Sequence, residues 1–272
     1  MINLEATIQR IERLIAENTP ASVTYAALEA RLALERVCYD RLRQHHDYIS
    51  HDDLRKWQPA EIVKQLVAEI DAHAADTFTL SISTEPAREG VALTEYDYMP
   101  VGTQIGFNPN KIRSLWQALS NLALHLNIPA SSDESIHEYG DQSTITSKVQ
   151  EALSELGRLA EGSMTSTGWG SEVSFDCQCG AINKRRASLL RDGQEVSCIN
   201  PKCDWSWLAK RTGDGYDFEQ LGMPVTCKTC ATEAKLPVRP LRKMQFGQIG
   251  KWRCHQCGEE NQVKLIFGQA TE

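Results

Sequence analysis

The sequence predicts an α+β protein. A mainly α-helical N-terminal domain over 1–162, with a short β/loop insertion near 77–108, precedes two small β domains, over 173–220 and 221–272, each built round four cysteines. Three observations predict it. Apolar residues recur at helical spacing as far as Leu159, eight of the nine cysteines follow position 176 as four close pairs, and the charge changes sign between the two regions. Residues 1–165 hold 14 Lys/Arg against 24 Asp/Glu, a net of −10, whereas 166–272 hold 15 against 12, a net of +3. The glycine- and serine-bearing stretch 163–172 reads as the linker.

The first helix occupies 1–15, with Ile2, Ile8, Ile11, Leu14 and Ile15 at helical spacing, and Asn18-Thr19-Pro20 ends it. A longer helix follows over 24–46. Leu28, Leu32, Val37, Tyr39 and Leu42 are its apolar positions, and Arg31–Glu35 is an opposite-charge i,i+4 pair. Trp57-Gln58-Pro59 opens a third helix over 60–70. Phe78, Leu80 and Ile82 alternate with small polar residues, which predicts a strand over 77–83. Residues 85–108 read as a loop with one extended piece near 104–107. Asn108 as cap and Pro109 at the first helical position start a helix that runs to Leu126. A last helix spans 145–161, and Cys38, among apolar neighbours, reads as a core thiol.

Composition excludes several classes. A hydrophobic share of 41% and a mean hydropathy of −0.40 describe a soluble chain able to bury a core. No run approaches the roughly 18–20 apolar residues that cross a bilayer, so no membrane role is expected. The start carries Glu5 and Glu12 on an amphipathic pattern rather than a secretory leader, which points to a reducing, cytoplasmic setting. There, clustered cysteines hold metal more often than they form disulfides.

The first cysteine unit reads Cys177-Gln178-Cys179, then 18 residues beginning with Gly180, then Cys198-Ile199-Asn200-Pro201-Lys202-Cys203. The second reads Cys227-Lys228-Thr229-Cys230, then 23 residues, then Cys254-His255-Gln256-Cys257-Gly258. Two cysteines on one tight turn aim both sulfurs at one ion, and four thiolates close a tetrahedral shell at about 2.3 Å with no position left for water. Strand-like pieces at Val196-Ser197, 235–239, 250–253 and 263–267 flank the pairs, and the two units read as a loose tandem. This pattern resembles the zinc-ribbon family over about a third of the chain. The first unit departs from it, with one residue inside its first pair and four inside its second. The resemblance implies two structural zinc ions, held by Cys177, Cys179, Cys198 and Cys203 and by Cys227, Cys230, Cys254 and Cys257. Ligands interleaved between the units, or an iron–sulfur cluster, would use the same thiolates.

Zinc ribbons commonly bind nucleic acid or a protein partner, and both stay open. The basic candidates are Lys184, Arg185, Arg186 and Arg191, then Arg239, Arg242, Lys243, Lys251 and Arg253, with Trp205 and Trp207 as stacking faces. Two tetrathiolate sites would subtract about 4 from the +3 of this region, so selective patches are expected rather than a general cationic field.

In the helical region, Arg41-Leu42-Arg43-Gln44-His45-His46 resembles the Arg-x4-6-His motif of the HEPN family, helical-bundle proteins that include many ribonucleases. The resemblance implies Arg41 on a phosphate, His46 as general acid or base, and a site completed across a homodimer of the helical domain. His125 is a second candidate of that kind. The motif departs from the family in having Leu42 directly after the arginine. The overall layout also resembles bacterial proteins found around antiviral defence systems. The leading expectation is a non-catalytic zinc protein that recognises nucleic acid or a protein; the alternatives are a metal-independent ribonuclease and a scaffold subunit.

Overall fold

The computed structural model describes residues 3–49, 54, 58–126, 131–133, 139–165 and 170–266. The chain is α+β, a helical region followed by β-rich regions that carry the cysteines. It divides into two compact units: Met1–His45 with Arg55–Trp169, and His46–Leu54 with Gly170–Glu272.

In the first unit four helices pack around one central helix. Helix α1 (Leu4–Glu17) is capped by Asn3 and ends at Asn18, whose φ of 50° lets its N–H close on the Ile15 carbonyl. Ile2 lies outside the described residues. Helix α2 (Pro20–Gln44) starts earlier than expected: Thr19 and Ser22 form a reciprocal capping box with Pro20 in the first turn, so the proline that ends one helix begins the next. Alanines 26, 27, 30 and 33 line its buried face and let the neighbouring helices approach. Cys38 is fully buried there, and burial pushes its thiol up to about 12. Helix α3 (Pro59–Glu69) follows, and Trp57 lies outside the described residues. Helix α4 (Pro109–Ala123) has the expected Asn108 cap but stops short of Leu126, and α5 (Gln142–Ala160) begins on an Asp141 cap.

A two-stranded ribbon pairs β1 (Phe78–Ser83) with β2 (Tyr98–Gln104). The second strand therefore precedes the extended piece expected near 104–107. Pro100 and a register shift between Leu80 and Ser81 break the alternation that would have marked it. Of the expected linker, Ser163 and Met164 donate their N–H groups to Thr103 O, and residues 166–169 lie outside the described residues.

Four knuckle-tipped hairpins make up most of the second unit. Strand β3 (Glu172–Asp176) pairs with β4 (Ile182–Arg186), β5 (Glu195–Ser197) with β6 (Ser206–Thr212), and β9 (Ile249–Arg253) with β10 (Glu260–Lys264). The 12-residue β7 (Gly215–Thr226) pairs with β6 as far as Leu221, then with β8 (Glu233–Pro237) from Gly222 onward. Strands β5-β6-β7-β8 thus form one sheet, and the boundary expected at 220/221 falls inside β7. The short helix α6 (Val238–Arg242) leaves β8. On the sheet, Phe175 stacks on Phe218 with ring centroids 4.3 Å apart, over Leu190, Val196 and Ala209. Residues 46–49 join this unit rather than the helices. Lys184 N–H donates to Asp47 O at 3.2 Å, Tyr48 donates its hydroxyl to Glu172, and the Arg186 guanidinium lies 4.9 Å from the Tyr48 ring.

Candidate metal centres

Each cysteine pair sits at a hairpin tip because the turn needs it there. In the first set, Cys177 N–H bonds Ala181 O and Gly180 N–H bonds Cys177 O, with Gly180 at φ +86°. The β9–β10 tip repeats this: Cys254 N–H bonds Glu259 O, Gly258 N–H bonds Cys254 O, and Gly258 has φ +75°. At Cys227-Lys228-Thr229-Cys230 the same left-handed position is filled by Ala231, at φ +54°.

The hairpins bring each set of four sulfurs together, all within 4.8 Å of one another. Cys177 Sγ and Cys203 Sγ are 3.6 Å apart and Cys179 and Cys198 3.5 Å; Cys227 and Cys257 are 3.7 Å apart, as are Cys230 and Cys254. A tetrahedral ion with bonds of about 2.3 Å sets its ligands about 3.8 Å apart, which both sets approach, whereas a disulfide needs about 2.05 Å. The expected grouping of ligands within each unit, not between units, is the one the fold makes.

Backbone amides surround the sulfurs. Cys179 accepts from the Ala181 amide, Cys198 from Asn200, Cys203 from Trp205, Cys227 from Cys230 and Thr229, and Cys257 from Glu259. The two amides at Cys227 bring its thiol down to about 6. Cys179 sits at about 7 because such bonds outweigh the burial that raises it. Burial and neighbouring sulfur push Cys203 up to about 11, burial raises Cys198 as well, and contact with Cys230 takes Cys257 to about 12 against the Glu259 amide. Four sulfurs this close do not all ionise without a cation among them, and a cation is what the donor set fits. Trp205 and Trp207 pack on the first set, and the donors Trp207 Nε1 and Gln220 Nε2, opposite each other on β6 and β7, have no hydrogen-bond partner.

Two residues that sequence reasoning missed complete the centres. Asn183 Oδ1 accepts from Ile199 N at 2.8 Å, and its Nδ2 donates to Ala181 O. Asn261 Oδ1 accepts from Lys228 N at 2.9 Å, while Nδ2 lies 3.5 Å from Cys227 Sγ and donates to Glu259 O. Each asparagine ties its own knuckle to the residue after the first cysteine of the opposite one. The signal that could have found them is a shared Cys-Gly-x-x-Asn, at 179–183 and 257–261. This motif hairpin comes first in one unit and last in the other, so the two are arranged in inverted order rather than in tandem. Comparison with known proteins returns nothing. No family model, no curated protein and no solved structure matches the chain. The two four-cysteine clusters are consistent with a zinc-ribbon-like architecture.

The remaining candidates disperse. Arg185 is 4% exposed and donates to Lys184 O and Ser197 O; Arg186 donates to Gly170 O. Lys184 pairs with Glu172, and Arg239 donates to Cys203 O. Arg242 pairs with Glu195 and Lys251 with Glu260, while Arg191, Lys243 and Arg253 are exposed. Arg41 is buried, with Nη1 on Gln104 Oε1 at 2.7 Å and Nη2 on Ile105 O at 3.1 Å. His46 is exposed and faces Asp47 at 2.7 Å, and His125 is exposed as well. A guanidinium so enclosed is not offered to a phosphodiester, so the ribonuclease expectation gains no support. The buried histidine is instead His45, between Arg41 O at 2.7 Å and Asp71 Oδ2 at 3.1 Å. Burial raises the Asp71 carboxyl, but the bonds from His45 and the His73 amide hold it below the ordinary range.

Proposed function

We propose that the chain is a non-catalytic recognition protein in which two structural zinc ions hold the cysteine-bearing unit, and that this unit binds nucleic acid through the outward face of β9–β10. Zinc is favoured because it accepts four thiolates tetrahedrally without redox chemistry. A multi-iron cluster spreads its cysteines over several irons, whereas these sulfurs crowd one point. All four positions of each shell are taken, so neither site has room for a reacting water. None of the nine cysteines is in a disulfide, and clustered thiolate ligands of this kind belong with a reducing compartment such as the cytoplasm. Among the described residues no helix is long and apolar enough to cross a membrane.

The observation that carries the nucleic-acid reading is one face of a two-stranded sheet. Ile249 lies opposite Lys264, Lys251 opposite Gln262 and Arg253 opposite Glu260, and all six are exposed. Phe246, 65% exposed, lies just before β9 with Lys243 nearby in sequence. Lys251 is paired with Glu260, which leaves Arg253 and Lys264 on this face to meet the phosphates of a single strand, with Phe246, close in sequence, as the ring that takes a base. Neutralising two phosphates of a single strand gives a salt slope of about −1.4.

The test is anisotropy of a labelled single-stranded RNA against salt. Arg253→Glu with Lys264→Glu is expected to weaken binding at least about tenfold and flatten the slope, with metal content unchanged. Equal binding by that variant would defeat the nucleic-acid reading and leave a protein partner as the alternative.

A further inference from the structure

The two cysteine sets are tied to each other by three devices. Strand β7 is the first: it pairs with β6, which leaves the Cys198/Cys203 knuckle, and then with β8, which leaves Cys227/Cys230. The handover falls at Gly222. A Cβ there would lie 3.1 Å from Trp205, whose indole packs on the first set, and 3.1 Å from Lys235 Cβ on β8. Second, Arg239 on α6, between the two knuckles of the second set, reaches the first set and donates Nη1 to Cys203 O at 3.2 Å. Third, Arg242 of the same helix pairs with Glu195 at 2.6 Å, at the head of the strand that enters Cys198.

Hairpins of this size bury too little to hold themselves, so an ion at either set does much of the ordering of its own strands. Here the strands and helix ordered by one ion are those the other needs, so the ordering cost is met once for both. We infer that the two metal sites fill and empty as one cooperative unit, with Gly222 and Arg239 as positioning residues that carry the coupling. The inference rests on the metal-binding reading given above. It also gives Arg239, a nucleic-acid candidate by sequence, an internal role.

The test is native mass spectrometry of the full zinc-loaded chain during titration with a competing chelator. Independent equal sites put about half of the chains in the singly loaded state at half loss, and unequal sites put more there; coupling puts fewer there. The expected result is a singly loaded population well under that half. In Arg239→Ala, which retains all eight thiols, that population rises at least about twofold, and Gly222→Val behaves alike. A singly loaded population of half or more in the unmodified chain would overturn the inference. An unchanged population in both variants would remove these residues from it. A chain carrying no zinc before chelator is added would overturn the metal-binding reading itself, and the coupling with it.

Discussion

Asn183 and Asn261 occupy the same place in two hairpins far apart in the chain, and each spends its whole amide on fixing a knuckle. Removing that amide leaves the four sulfurs in place but loosens the turn presenting them. Asn261→Ala is therefore expected to weaken metal binding about 10–100-fold in a chelator competition. An unchanged affinity would mean the amide is incidental. In the helical unit the comparable residue is Glu155, buried on α5 and held by Lys111 at 2.7 Å and by Arg158. Burial raises its carboxyl, and those two cations more than reverse the effect, so it lies below the ordinary carboxylate range. A depressed folded-state pKa contributes stability that is present above the unfolded value and lost as the pH falls through the folded one. Glu155→Gln should cost about 1–3 kcal/mol at neutral pH and less in acid, read by thermal melts at both. A deficit independent of pH would contradict this. At this scale the eight cysteines were legible, because a ligand pair needs one tight turn and so a short spacing. The inward turn of Arg185 and Arg41 was not, since it depends on carbonyls distant in sequence, such as Ser197 O and Ile105 O.

Helices were legible where their ends carried chemistry, as at Asn108-Pro109, and were misjudged where one residue served two elements. Pro20 looked like a terminator and is the first residue of α2. Strand β2 was displaced because a proline and a register shift hide its alternation, and β7 went unseen because it changes partner halfway. The elements also say where damage should stop. Cys230→Ser would remove one of four ligands at the β7–β8 tip, and because the two sets are coupled through β7, β3 to β10 should all lose hydrogen-exchange protection. Helices α1 to α5 have their own core, from Ile11 and Leu34 to Leu156, and should keep theirs. Protection lost equally from the helices would contradict two separately supported units.

For the whole molecule, the formal charge of −7 conceals an acidic helical region and a tail that two metal-bound tetrathiolate centres would bring close to neutral. The α+β class was readable from periodicity and composition, whereas the grouping of cysteines within units was implied by the zinc-ribbon resemblance, with interleaved ligands still open, and is set by where the hairpins bring the sulfurs. The inverted order of the units was not readable, because spacing counts residues and says nothing about which hairpin a strand joins. Neither was the capture of Asp47 and Tyr48 by the cysteine-bearing unit, which rests on a backbone bond to Lys184 and a ring under Arg186. Everything proposed for this chain depends on metal at the two cysteine sets. Elemental analysis of protein purified without chelators tests that most directly: the account predicts about two zinc ions per chain, and a folded chain with a value near zero would contradict it.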